Sequence, residues 1–383
     1  MDTLDIITIM HSKLKLLSIF ISIFFFLVSC KNTNKNSNKN KILINYLDEY
    51  VIYNDTIFNE SKIGGLSGID YSKDDKFYYL VCDDAKKPRY YKASILLDNN
   101  QFNSVEINEV VELKDTIRQF LNNNIIDLEA IRTFGKNKLI FASEGSIKND
   151  YNPSIFITDP YGNYSESFSL PTYFLTDTNS RNKPRHNGVF EGLAADITND
   201  GYWAAMELPL ELDGKEPTFN HSGAPVRITH FSTKTNQADF QFTYPLDKLT
   251  KDPKGNFGVN GITCLLQLSQ NEFIVIERAY SEGYGTQGNT VKIYLANIEH
   301  TTNTLPFDTL QNKEYKVAKK ELLFDFETVR SQLTNNILDN IEGITLGPIL
   351  ENGNQSLILV ADNNFSPVSK QINQLILLEL VKP

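Results

Sequence analysis

Five times along this chain an apolar residue, a polar residue and usually a glycine open a strand-like run, and a second apolar run then ends on an acid. The openings are GGLSGIDY from Gly64, DLEAIRTF from Asp127, FEGLAADI from Phe190, NGITCLLQL from Asn260 and IEGITLGPI from Ile341. The second runs end at LVCDD (Asp83, Asp84), IFASEG (Glu144), WAAMEL (Glu207), IVIERAY (Glu277) and ILVADNN (Asp362). Taking the polar residue as Ser67, Glu129, Glu191, Asn260 and Glu342 in turn, the spacings to the partner acids are 16, 15, 16, 17 and 20. A periodic array of hairpins with a carboxylate at each mouth specifies the architecture and marks where the chemistry sits.

Counting strands around the repeat gives an all-β chain. Four short runs, β-branched and aromatic-rich and bounded by Asn, Asp, Gly or Pro, follow each opening in the first four units. The fifth unit ends one strand short, at QLILLELV. A spare strand, KILINYLDEYVIY from Lys41, sits at the other terminus. Letting this N-terminal strand close the last blade removes an open edge. The expectation is therefore a β-propeller of five four-stranded blades spanning residues 41–383; six blades is the alternative. Openings lie 62, 62, 69 and 82 residues apart, and the surplus falls in loops. Helical patterns are confined to Val111–Asn123 and Thr328–Leu338, both read as insertions between blades.

The N-terminal segment follows a different logic. Lys13 and Lys15 precede an apolar run from Leu16 to Val28, too short to span a bilayer, which ends Leu27-Val28-Ser29-Cys30. That ending resembles the lipobox of bacterial lipoproteins, so residues 1–29 read as a signal peptide and Cys30 as the lipidated residue; an ordinary cleaved signal is the alternative. The acidic MDTLDIITI suits a signal n-region badly, and Met10 makes a better start. Residues 30–40, all polar after Cys30, read as a lipidated tether. An exported chain anchored to the bacterial outer membrane is expected. Residues 1–29 hold two acids and two bases, so the remainder keeps the formal charge of −10, which leaves no nucleic-acid footprint. Cys82 and Cys264 fall in strand patterns, where a disulfide and two buried thiols are both open.

In a propeller the opening residue starts the innermost strand and the partner acid ends the next, antiparallel one, so both lie at one mouth of the axis. Crowded carboxylates raise one another's pKa values unless something neutralises them. A hard cation, Ca²⁺ first, suits Glu129, Glu191, Glu342 and Asn260. Arg278 and Arg185 are placed to grip an anion, with His186, Lys87, Asp362 and Asn363 as further substrate contacts. Glu207 or Glu277 would be the general base. Nucleophilic alternatives are poor: GGLSGI is not a G-x-S-x-G elbow, and no zinc spacing, P-loop or dinucleotide fingerprint occurs. His230 and Trp203 read as packed residues.

GLSGIDY, DLEAI with ASEG, FEGLA with AMEL, ERAY, NIEGIT and VADNNF, in that order, resemble the family called esterase-like activity of phytase. The resemblance runs from about Ile63 to Leu380 and implies a propeller and ester or phosphoester hydrolysis. It matches Glu191 and Glu342 to the family's acidic openings, and Arg278 and Asp362-Asn363 to its later segments. A small anionic ester is the expected substrate, and a monomer the expected state. The alternatives are a lactonase resembling gluconolactonase propellers, or a non-catalytic surface module that binds a ligand at the same mouth.

Overall fold

The computed structural model describes residues 41–115, 120–135, 137–176, 179–366 and 370–382. The expected signal peptide, Cys30 and the tether lie outside them. Strand β1 (Leu43–Ile52) comes first, followed by a two-residue hairpin of β2 (Ile57–Phe58) and β3 (Ser61–Lys62). Blade one is β4 (Leu66–Tyr71), β5 (Tyr78–Cys82), β6 (Arg89–Asp98) and β7 (Gln101–Glu112). Blade two is β8 (Leu128–Phe134), β9 (Lys138–Ser143), β10 (Ser154–Thr158) and β11 (Tyr164–Ser167). Blade three is β12 (Phe190–Ala195), β13 (Gly201–Met206), β14 (Ala224–Ser232) and β15 (Gln237–Leu246). Blade four is β16 (Gly258–Ser269), β17 (Glu272–Ser281), β18 (Asn289–Asn297) and β19 (Lys319–Asp325). Blade five is β20 (Asn340–Ile349), β21 (Gln355–Asp362) and β22 (Asn373–Val381), with β1 paired antiparallel to β22 as its outer strand. The chain is a five-bladed β-propeller closed by its N-terminal strand.

Both sequence-expected helices are corrected. Val111 and Glu112 finish β7, and among the described residues of this stretch Phe120–Asn123 is helical. The stretch Thr328–Leu338 is a run of 3₁₀ turns rather than an α-helix. Asn335 and Asn336 hold φ of 54° and 55° there, a left-handed conformation that a right-handed helix excludes.

Blades alternate apolar faces, and the core is the set of layers between them. One cluster joins blades one and two, another blades five and one, a third blades four and five, and the largest runs through blades two, three and four. Trp203 is buried in the last, with its ring centroid 5.1 Å from that of Phe273 and 5.5 Å from that of Phe242. His230 packs on Trp203 and bonds Asp239 through Nδ1. Cys82 and Cys264 are buried free thiols in different layers.

The five innermost strands β4, β8, β12, β16 and β20 abut in a ring. Each carries a register shift near its start: between Leu66 and Gly68, Leu128 and Ala130, Phe190 and Gly192, Ile262 and Cys264, and Ile341 and Gly343. A bulge leaves one residue without a ladder partner and re-aims its side chain. The residue after each bulge is small because neighbouring inner strands almost touch there. A Cβ on Gly343 would come within 2.9 Å of Gly68 Cα, one on Gly68 within 3.1 Å of Ala130 Cα, and one on Gly192 within 3.4 Å of Cys264 Cα.

Deeper along the axis a single side chain fills the centre. Arg132 Nη1 donates to the carbonyls of Ile69 (2.7 Å) and Ile131 (2.9 Å), and Nη2 to those of Ile344 (3.0 Å) and Leu265 (3.2 Å). Carbonyls from blades one, two, four and five can converge on one guanidinium only at the axis. Arg132 is buried and forms the floor beneath the mouth.

Candidate active site at the propeller mouth

The bulges define the site. Their unpaired residues are Ser67, Glu129, Glu191, Thr263 and Glu342. The residues opposite the position just before each bulge are Cys82, Ser143, Met206, Glu277 and Ala361, and the next residue in each case is Asp83, Glu144, Glu207, Arg278 and Asp362. Blade four is therefore corrected: its members are Thr263 and Arg278, where the sequence pointed to Asn260 and Glu277. The mouth pairs three Glu/acid blades with a Ser/Asp blade and a Thr/Arg blade.

The correction has a clear physical basis. Glu277 faces the seam between blades three and four. Its oxygens accept from Tyr244 Oη (2.7 Å), Lys320 Nζ (2.5 Å), Asp247 N (3.0 Å) and Asn260 Nδ2 (2.8 Å). Asn260 spends its remaining amide hydrogen on the Asp247 carbonyl. Neither residue lines the mouth cavity, and both hold the loop around Asp247. The neutral bulge residues also turn to backbone, with Thr263 Oγ1 donating to Ile341 O and Ser67 Oγ to Gly65 O.

The cavity above the ring has a volume of about 980 Å³. Ten acids line it (Asp83, Asp127, Glu129, Glu144, Glu191, Glu207, Glu216, Asp339, Glu342 and Asp362) against Arg278, Lys370 and the titratable His186. Burial, then Glu207, pushes Glu144 up to about 7 despite a hydrogen bond from Val189 N–H (2.7 Å). Burial also lifts Glu207 to about 7 against the pull of Arg278, and lifts Asp127 to about 7 with help from Glu144. Glu129, Glu191, Glu342 and Asp362 are held well above the usual carboxylate range by burial and by one another. Asp83 reaches about 6 through burial and Asp84.

Two sub-clusters stand out. Oxygens of Asp127, Glu129 and Glu144 lie within 4.8 Å of one another, and so do oxygens of Glu144, Glu191 and Glu207. Glu191 Oε2 is buried without a hydrogen-bond partner among the described residues. Hard oxygen donors in this number suit Ca²⁺, Mg²⁺ or Mn²⁺. The thiol of Cys82, pushed up to about 12 by burial, and that of Cys264 are packed in the interblade layers.

Beside the second sub-cluster Arg278 Nη2 lies 3.5 Å from Glu342 Oε1 and 3.6 Å from Glu207 Oε1, and its Nε has no partner among the described residues. Burial opposes its charge, but Glu207, Glu342 and Glu191 more than offset it. Ion pairs this long leave donor capacity free for an anion, since charge-assisted bonds normally close to about 2.7–2.9 Å.

Of the other residues singled out from sequence, His186 and Asp362 line the cavity, while Arg185, Lys87 and Asn363 do not. Arg185 donates to Pro209 O and Gly214 O and pairs with Glu216. Asn363 accepts from Gly65 N and Phe365 N and donates to Asn54, tying blade five to blade one. Asp127 and Asp339 join the mouth without having been assigned a role from sequence; each lies two or three residues ahead of a bulge glutamate.

No curated protein matches the chain significantly. Similar solved structures include the GH43 β-1,3-galactosidase BT3683, with TM-score 0.42 and 9% identity over 83% of this chain and 91% of that one. The Bombyx mori GH32 β-fructofuranosidase BmSUC1 gives 0.39 and 10% over 82% and 60%. The Schwanniomyces occidentalis β-fructofuranosidase gives 0.41 and 9% over 87% and 58%. Likeness this remote transfers no residue roles. The profile described as phytase-like, esterase-like activity of phytase, matches residues 61–365, which carry all five bulges and all ten ring positions, and the chain belongs to that family.

Proposed function

We propose that this chain is a propeller hydrolase whose active site is the acidic mouth, acting on a small anionic ester, with phosphoesters as the first class to test. The observation that carries the reading is the division of the mouth: an excess of buried carboxylates with an unpartnered oxygen on blades two and three, facing an unsaturated Arg278 on blade four. An ester dianion meets both needs, because the arginine binds its oxygens and the carboxylates hold a counter-cation beside them.

Asp127, Glu129, Glu144, Glu191 and Glu207 would hold a divalent cation, Ca²⁺ foremost. Such an ion polarises a phosphoryl or carbonyl oxygen and acidifies bound water. The chain's own residues do the rest. Arg278 orients the anion through Nε and Nη. Asp83 lines the cavity outside both sub-clusters, and at about 6 its carboxylate is basic enough to take a proton near neutrality. Arg132 closes the axis below, so substrate and product use one opening. Glu207, expected from sequence as the base, stands among the cation donors, and Glu277 is committed to the seam between blades three and four. The same reading includes export and anchoring through a lipid on Cys30.

The test is turnover of aryl phosphates, phosphodiesters, carboxylic esters and lactones, with Ca²⁺ and with chelator. Cation-dependent cleavage of a phosphoester, at least tenfold weaker in Arg278→Gln, supports the reading. Cleavage confined to lactones, with Arg278→Ala unaffected, would replace it with a lactonase. Ligand binding without turnover would make the chain a binding module.

A further inference from the structure

The two oxygen clusters at the mouth share one residue. Asp127, Glu129 and Glu144 all belong to blade two, whereas Glu191 and Glu207 belong to blade three. We infer that the mouth holds two divalent cations side by side, one on each cluster, with the Glu144 carboxylate bridging them. This rests on the hydrolase reading above and assigns its cation sites.

Four observations support a pair. A cation of calcium's size takes oxygens at about 2.3–2.6 Å, so three donors sharing it lie up to about 5 Å apart. The oxygens of each cluster lie within 4.8 Å of one another and so meet that limit. A carboxylate has two oxygens and about four lone-pair sites, enough for two ions and one hydrogen bond. The Val189 N–H occupies one site on Glu144 Oε1 and fixes the carboxylate between blades two and three.

Glu191 gives an independent indication. It is 8% exposed, lines the cavity, and its Oε2 has no hydrogen-bond partner among the described residues. A buried carboxylate oxygen left unbonded costs free energy that a cation would recover. Charge points the same way. Once cations displace their protons, the five cluster acids carry a formal −5, and the guanidinium beside them, Arg278, is shared with Glu342 of blade five. A single divalent ion leaves most of that charge uncompensated; two bring +4. Glu342, expected from sequence as a ligand, belongs instead to Arg278 and to Asn340 Nδ2 (2.5 Å).

The experiment is cation stoichiometry on the purified, metal-stripped chain, by equilibrium dialysis with Ca²⁺ and separately with Mn²⁺, beside anomalous diffraction from Mn²⁺-soaked crystals of the unaltered protein. The expected result is two ions per chain and two anomalous peaks flanking Glu144. Asp127→Asn should lose one ion and Glu207→Gln the other. Glu144→Gln should weaken both by at least the roughly 10–100-fold that disturbing even an outer-shell partner costs. One ion, one peak and loss of the same ion in all three variants would overturn the pair and leave a one-cation hydrolase standing. No ion at millimolar Ca²⁺ or Mn²⁺ would overturn both. The diffraction arm uses no variant, so a misfolded substitution cannot decide the outcome.

Discussion

Replacing Arg132 with methionine removes the guanidinium at the centre of the propeller and keeps most of the side-chain volume. Four hydrogen bonds to buried carbonyls are lost, those to Ile69, Ile131, Leu265 and Ile344. At about 1.5–3 kcal/mol for a bond to a charged group, the gross loss is about 6–12 kcal/mol. Against it stands the desolvation of a buried cation, which the substitution returns and which runs to several kcal/mol. Asp70, 3.9 Å from Nη1, is not orphaned, because it also accepts from Thr133 N, Thr133 Oγ1 and Thr345 Oγ1. The net destabilisation expected is about 3–5 kcal/mol. With an unfolding entropy of ~2 cal/mol/K per residue, that lowers the melting temperature by about 4–7 °C. Trp203, the single tryptophan of the chain, lies in an interblade layer and reports unfolding by fluorescence. Arg132→Lys should fall between the two, since one ammonium has fewer donors than a guanidinium. A methionine variant as stable as the unaltered protein would refute the reasoning, because closure would then not depend on the axial hydrogen bonds.

Three further outcomes follow from the same structure. Gly343→Val places a Cβ 2.7 Å from Val360 Cγ2 and 2.9 Å from the backbone of Gly68 and Ile69, so it should cost at least the ~1–3 kcal/mol of an overpacked site in a urea titration. Glu277→Gln should lower stability by loosening Tyr244, Lys320 and the Asp247 loop, yet leave cation stoichiometry unchanged in dialysis. In chelator the protein should be more stable at pH 5 than at pH 8. The folded-state values of Asp83, Glu144 and Glu207, about 6 to 7, lie above their ordinary values of 3.8 to 4.5. The native chain therefore binds more protons between pH ~4 and ~7, and that stabilisation is lost as pH rises through the window. Scanning calorimetry decides it: a melting temperature rising from pH 5 to pH 8 without cation contradicts the crowding of the mouth.

Blade number, the closing strand and most of the mouth were legible in sequence because strand alternation and the repeat are local signals. Glu129, Glu191, Glu342, Asp83, Glu144, Glu207 and Asp362 all line the mouth cavity. Blade four did not, for a specific reason. Asn260-Gly261 imitates the polar-glycine opening and Glu277 imitates the closing acid, whereas the bulge lies at Ile262-Thr263-Cys264. The signal that aligns it is the triplet of apolar, variable and small residue, with Gly68, Ala130, Gly192, Cys264 and Gly343 in the small place. Smallness there reflects packing between blades, which no single blade reveals. The division between Glu144 as bridge and Glu342 as partner of Arg278 depends on side chains from different blades meeting, so spacing alone does not contain it.

The bulges also bear on how such a site changes over time. A residue that takes no part in the strand ladder can be exchanged without altering strand pairing, and this ring already holds serine, threonine and glutamate on the same backbone device. Each blade thus offers a socket whose chemistry is independent of its folding role, while the small residue beside it stays fixed by the neighbouring strand. Five sockets around one axis let charge be moved, removed or inverted one blade at a time. Substitution in a socket leaves the strand pairing of the ring untouched.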